Sequence, residues 1–168
     1  MPNNTFYGNP PGTIAARLAT LDLELPQVPA PVAAYVPALK VGDQVWTSGQ
    51  LPFVDGELKI SGKVGEGHGL VDPKVAEQLA ATAVLNALAA VNSRIGSLDQ
   101  ITRILKVVGF VASDPLFTGQ PQVVNGASKL LAEIFGDAGS HVRSAVGVAA
   151  LPLDSPVEIE LVVEVSER

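Results

Sequence analysis

His141-Val142-Arg143-Ser144-Ala145-Val146-Gly147-Val148-Ala149-Ala150-Leu151-Pro152-Leu153-Asp154-Ser155-Pro156-Val157-Glu158-Ile159-Glu160 is the stretch whose reading decides the fold. Residues 144–151 are almost entirely apolar, as expected of a buried strand. Leu151 to Pro156, with two prolines and Asp154, reads as a turn. From Val157 onward the alternation is strict. Val157, Ile159, Leu161, Val163 and Val165 fall on one face, Glu158, Glu160 and Glu164 on the other. A tight turn between two such strands predicts a terminal hairpin, with Arg143 and Glu158 near the same end of the sheet. A cation and a carboxylate held there would suit a small anion and a positioned water.

Working back along the chain, Pro121 to Phe135 has helical spacing, with Val123, Ala127, Leu130 and Ile134 on one stripe and Gly136 as terminator. Ile101 to Ala112 reads as a strand whose second half carries no polar side chain, hence a central one. A longer helix begins at Asp72 as N-cap with Pro73 at its first position. Val75, Leu79, Val84, Leu88, Val91 and Ile95 keep helical spacing until Gly96. Leu51 to Gly69 is a glycine-rich loop region. Ala33–Leu39 and Gln44–Gly49 are the first strand signals, separated by Val41-Gly42-Asp43 as a tight turn. Residues 1–32 form an N-terminal extension to the domain at 33–168. It comprises an irregular arm over 1–12, a short helix from Ile14 to about Leu21 capped by Thr13, and a proline-spaced extended run from Leu23 to Val32. The expected order is strand, strand, helix, strand, helix, strand, strand: an α+β pattern with helices on one face of a single sheet.

At 168 residues and 47% hydrophobic content the chain is one apolar globular domain. Either a large core or a surface buried against another copy accounts for that excess. Net charge of −6 without a basic cluster argues against nucleic-acid partners. The absence of cysteine excludes disulfides, thiolate metal sites and cysteine nucleophiles. His68 and His141 are too few and too scattered for zinc. No metal, nucleotide or flavin motif is present, so no cofactor is expected. No signal-like N-terminus or membrane-length apolar run is recognised, and a cytoplasmic location without a membrane partner is the expectation.

Arg143-Ser144, the apolar strand after it, Leu151-Pro152 and Val157-Glu158-Ile159-Glu160 resemble the signature of the YjgF/YER057c/UK114 (RidA/Rid) family. Tyr35-Val36, Gly42 and Trp46-Thr47-Ser48-Gly49-Gln50-Leu51-Pro52 resemble its first hairpin, and Asn125 matches a recurring asparagine. The resemblance covers about residues 33–165 and marks a divergent, longer branch with an N-terminal extension. It implies a chorismate-mutase-like mixed β-sheet backed by two helices, assembling as a homotrimer with ligand clefts between subunits. The activity it implies is hydrolysis of reactive small 2-imino acids to 2-keto acids and ammonia.

That chemistry requires a held carboxylate and one delivered water. By resemblance Arg143 is the carboxylate ligand, for which its planar fork is suited. From the residues alone, a structural arginine paired with Glu158 or Asp137 is the simpler reading. Glu158 would orient or activate the water, although spacing does not separate it from Glu160 or Glu164. Tyr35 would wall the cleft or sit in the core. Ser48 and Gly49 would offer backbone hydrogen bonds, or Gly49 would end a strand at a bulge. Asn125 would bond the ligand or tie a loop. Ala145 stands where the best-known deaminases often have cysteine, leaving only backbone groups to bind water. Ser128 replaces a frequent aromatic residue. His141 shares the side of Arg143 if the strand extends that far; it is an added anion contact, a proton source, or a loop or interface residue. A non-catalytic module binding or sensing 2-keto acids in the same cleft is the alternative. RNA cleavage is disfavoured by charge, and chorismate mutase chemistry would rest on fold alone.

Overall fold

The computed structural model describes residues 12–28 and 34–166. Its helices are α1 (Ile14–Thr20), α2 (Pro73–Ile95) and α3 (Gln120–Phe135), and its strands β1 (Ala38–Val41), β2 (Gln44–Thr47), β3 (Ile101–Ala112), β4 (Val142–Val148) and β5 (Val157–Val165). The strands form one mixed sheet in the order β1-β2-β5-β3-β4. Most of the arm over 1–12, the end of the extended run and the first residue of the Ala33–Leu39 signal lie outside the described residues.

β5 is the centre of the sheet because both its neighbours need its apolar face. Val157, Ile159, Leu161, Val163 and Val165 all lie at 2% exposure or less. In register across β3, Val107, Gly109 and Val111 face the same way. α2 and α3 cover this face. Gly109 is required there by close approach: a Cβ would fall 2.3 Å from Val124 Cγ2 of α3.

The helix boundaries follow their chemistry. Asp72 accepts a hydrogen bond from the Lys74 N–H and Pro73 occupies the first turn, while Gly96 closes α2 in the left-handed conformation. α2 is long and apolar enough to cross a membrane by length and composition. Its Val84, Leu88 and Val91 are nevertheless fully buried in the core. Its inner face is richer in alanine than the expected stripe: Ala76, Ala80, Ala83, Ala87 and Ala90 are all at 0%. Small side chains there permit close packing, and a Cβ on Gly126 of α3 would meet the Glu77 carbonyl oxygen at 1.8 Å. In α3 the buried position is Leu131, while Leu130 packs only partly against the core.

α1 is capped by Thr13, whose side chain accepts from the Ala16 N–H. It packs on the main sheet-and-helix unit. Asp99 accepts the Ile14 N–H, and Arg17 Nε donates to the Glu133 carbonyl at 2.7 Å. β1 begins only at Ala38, after Pro37, which has no N–H for the ladder.

The C-terminal part departs from expectation. β4 and β5 do not pair with each other. β4 runs parallel to β3 on one side, and β5 runs antiparallel to it on the other. The connection crosses the end of β3 through a turn at Pro152–Asp154, pinned by bonds from Ala112 N–H to Pro156 O and from Gly62 N–H to Asp154 O. β3 is apolar enough to be a central strand, and inserting it separates the two strands that a hairpin would have joined. β4 is therefore an edge strand, and it is not buried: Val142 is 69% and Val146 43% exposed.

Gly126→Ala should destabilise the protein by about 1–3 kcal/mol, because the new methyl displaces α2 backbone. Urea unfolding monitored by far-UV circular dichroism checks this. An unchanged midpoint would show that the helix contact relaxes without cost.

Candidate active site

Register decides where the predicted residues lie. Arg143 pairs with Val107 and Ala145 with Gly109, so both side chains share the helix-covered face. Glu158 pairs with Phe110 and Glu160 with Val108, which lie on the open face. Arg143 and Glu158 of one chain thus stand on opposite faces of the sheet and at different levels along β3. They do not form the pair expected at one end of a hairpin. The reason is parity: the two register positions differ by an odd number of residues, and side chains alternate.

The first group gathers around Arg143 against α3. Its Nη1 donates to Asn125 Oδ1 at 2.9 Å and to Ser128 Oγ at 3.1 Å, and Nη2 donates to the Pro121 carbonyl at 3.2 Å. An arginine only donates, so the Asn125 atom facing it is the oxygen and the amide NH₂ points elsewhere. These bonds occupy three of the five guanidinium donors and leave Nε–H and one Nη2–H for another acceptor. Neither salt bridge among the described residues involves Arg143, so the predicted pairing with Glu158 or Asp137 is not made. Ala145 packs its methyl against the core. As part of the edge strand it also presents backbone groups away from β3.

His141 completes this group. Its Nε2 lies 2.9 Å from Ser128 Oγ, and its Nδ1 2.6 Å from the Gly139 carbonyl. The carbonyl can only accept, so Nδ1 carries the hydrogen and Nε2 accepts from the Ser128 hydroxyl. Burial lowers the His141 pKa, the Gly139 contact opposes this, and the Arg143 charge lowers it further. Ser128 enters the sequence reading only as a departure from the family pattern, whereas His141 is already a candidate there by its spacing from Arg143. The signals that join them to the site are one helical turn, from Asn125 to Ser128, and the two-residue spacing from His141 to Arg143.

The second group lies on the open face. The Glu158 side chain folds over Gly49, where a Cβ would fall 1.7 Å from Glu158 Oε1. Gly49 is thus needed for space. Gln50 and Ile159 exchange both backbone bonds just beyond it, holding this loop to β5. Ser48 Oγ donates to the Val36 carbonyl and Ser48 N–H to the Pro37 carbonyl, which brings the segment bearing Tyr35 alongside. Tyr35 is 66% exposed and so is not a core residue. The Glu158 pKa is raised, by burial first and then by the Glu160 charge. Leu39, Trp46, Val142 and Val146 leave exposed apolar surface on this same face.

No group of three or more His, Cys, Asp or Glu side chains suited to a metal is found among the described residues. The arrangement offers an anion-holding half around Arg143 and a carboxylate half around Glu158.

Comparison with known proteins agrees with this architecture. Residues 15–165, starting inside α1, match the family described as "YjgF/chorismate mutase-like, putative endoribonuclease". Protein TCP17 of Trypanosoma cruzi is 38% identical over 156 residues, spanning 92% of this chain and 96% of that protein. Atu1372 from Agrobacterium tumefaciens, described as having unknown function, superposes with a TM-score of 0.82 at 40% identity. That match covers 91% of this chain and 92% of the other. TdcF from E. coli, solved with bound serine, superposes with a TM-score of 0.60 at 25% identity over 83% of this chain and 94% of its own. The fold, the order of its motifs and these matches agree: this chain belongs to the YjgF/chorismate mutase-like family.

Proposed function

We propose that the protein is a cofactor-free hydrolase of small 2-imino acids, forming 2-keto acids and ammonia in clefts shared between subunits of a homotrimer. The observation that carries this reading is the division of the candidate residues between opposite faces of one sheet. A second copy that sets its open face beside the β4 edge would bring its Glu158 toward the first copy's Arg143. Such face-to-edge contact is heterologous, and repeated by a three-fold rotation it would close into a ring. The exposed Leu39, Trp46, Val142 and Val146 would be covered in that assembly. Serine bound to TdcF supports an amino-acid-sized carboxylate as the ligand class.

In this mechanism Arg143 takes the substrate carboxylate with the donors left over from α3, as two parallel charge-assisted bonds. The Asn125 amide, its oxygen already committed to Arg143, donates to the same ligand. Starting from the protonated imine, Glu158 of the neighbouring subunit accepts a proton from water as the water oxygen bonds to the imine carbon and the C=N electron pair moves to nitrogen, giving a neutral carbinolamine. Glu158 then returns its proton to that nitrogen, the C–N bond breaks as the hydroxyl oxygen forms the C=O bond, and the hydroxyl proton passes back to Glu158 and on to the departing ammonia as ammonium. A carboxyl whose proton affinity is raised by burial is better suited than a free one to hold and return that proton. Tyr35, Ser48 and Gly49 line the Glu158 side of the cleft, and the Ala145 backbone lines the Arg143 side. The acidic net charge suits this setting better than RNA cleavage. A cytoplasmic location beside enzymes that release such imines completes the proposal.

Coupling the protein to a serine/threonine dehydratase and following imine decay tests the reading. Arg143→Ala should slow the accelerated decay by about 100-fold, since two charge-assisted bonds are lost. Full activity in that variant refutes the proposal. Glu158→Gln should abolish turnover yet keep carboxylate binding, whereas a pure sensor has no turnover to lose.

Mixing the two inactive variants tests the shared cleft. Random reassembly should restore roughly a quarter of wild-type activity, because one site in four pairs an intact Arg143 with an intact Glu158. No recovery from a properly reassembled mixture would place both residues' functions within one subunit.

Stability should report the Glu158 environment separately. Its raised pKa means that ionisation is disfavoured by folding, so the cost is absent well below the ordinary value and is incurred as pH rises through the folded one. Glu158→Gln is expected to raise the urea midpoint at pH 7 and leave it unchanged near pH 3.5. A gain of equal size at both pH values would argue against an ionisation penalty.

A further inference from the structure

Asn125 Oδ1 and the Pro121 carbonyl take one hydrogen from each terminal nitrogen of Arg143, which leaves the second hydrogen of Nη1 in need of its own acceptor if that amino group is to be held against rotation. The second acceptor of Nη1 is Ser128 Oγ, and the hydroxyl that accepts from Arg143 must direct its own hydrogen elsewhere. His141 Nε2 receives it, and the Gly139 carbonyl fixes the imidazole tautomer that makes Nε2 an acceptor. The bonds therefore run in one direction: Arg143 to Ser128, Ser128 to His141, His141 to Gly139. Chains of this kind polarise one another and stiffen as a unit.

We propose that Ser128 and His141 are positioning residues, which hold the Arg143 guanidinium in the orientation that receives the ligand carboxylate. The proposal rests on the reading of Arg143 as the carboxylate ligand, and it adds that neutral His141 is the form that supports binding. A proton on Nε2 turns that atom into a donor. The Ser128 hydroxyl then faces two cationic donors and loses the acceptor for its own hydrogen. Both ring nitrogens are engaged within the chain, so protonated His141 has no N–H to offer the ligand in exchange.

Other charges stand on the elements packed around this ring: Asp137 in the preceding turn, Lys129 and Glu133 on α3, Lys106 on β3 and Arg17 on α1. Lys129 is paired with Glu77, and Arg17 is bonded to the Glu133 carbonyl. Of the surrounding charges, Arg143 is the one that acts on the His141 proton.

The test uses the full chain and does not depend on catalysis. The chain has only two histidines, so His68→Gln identifies the His141 ring signals in an NMR titration. In the wild type at pH 7.5 the Arg143 Nη1 signals should be resolved by hindered rotation. They should collapse as His141 gains its proton, and be collapsed at every pH in Ser128→Ala and His141→Ala. His141→Gln, whose side chain can accept from Ser128 and donate to Gly139 but cannot titrate, should keep them resolved down to pH 5.5. With pyruvate as the probe, calorimetry should show about five-fold weaker binding in His141→Ala at pH 7.5, the effect of one lost neutral hydrogen bond. His141→Gln should rescue it. Wild-type affinity should fall several-fold as pH drops through the His141 midpoint read from the NMR titration, and His141→Gln affinity should stay level across the same range.

Arg143 signals that ignore both Ser128→Ala and His141 protonation would overturn the proposal. So would pyruvate affinity that falls with pH equally in the wild type and His141→Gln. If pyruvate binds to no form, the ligand assignment fails, and the guanidinium signals still decide whether Ser128 and His141 position Arg143.

Discussion

The pairing of β5 with β3, apolar face aligned with apolar face, is the constraint on which the rest of the molecule depends. Val157, Ile159, Leu161 and Val163 cannot be buried unless helices cover them, and α2 and α3 do so. Because the sheet alternates strictly, burying those residues also commits Glu158 and Glu160 to the opposite face. The same register commits Arg143, through β3, to the helix-covered side. Core packing thus sets the two halves of the candidate site apart within one chain.

Close approach is the second theme. Glycine stands where backbone meets backbone or side chain: Gly109 under Val124, Gly126 against Glu77, and Gly49 beneath the Glu158 carboxyl. The first two let α3 settle onto β3 and α2. The third lets a partly buried carboxyl lie flat over the loop, where burial and Glu160 raise its proton affinity. Packing and acid–base character therefore arise from the same kind of residue choice. Around Arg143 the equivalent role falls to hydrogen bonds, since a guanidinium half-enclosed by α3 needs acceptors for its donors.

Most of the fold was legible in the sequence. Asp72, Pro73 and Gly96 mark α2 by local chemistry, Thr13 marks α1, and alternation marks β5, so these elements form as read. The family motifs named Arg143, Asn125, Ser48, Gly49 and Glu158 as candidates, and the structure brings Arg143 together with Asn125 and Gly49 together with Glu158. Pairing was not legible. Residues 144–156 read as one arm and turn of a hairpin, and local pattern carries no information about a third strand inserted between two neighbours in sequence. The apolar character of β4 was read as burial, whereas it belongs to an edge strand with one side uncovered.

What the sequence by itself determined is therefore local: which residues cap, alternate, turn and stack along a helix stripe, and which family those motifs belong to. Only the tertiary structure decided the parallel placement of β4, the opposite faces of Arg143 and Glu158, and the chain of bonds from Arg143 through Ser128 to His141. The physical reason is that strand order is settled by competition among apolar faces for the same helices, a comparison across the whole chain. Ser128 and His141 are thirteen positions apart in sequence. They meet because the turn after α3 returns β4 along the helix that carries Ser128, and no spacing rule within either segment expresses that return.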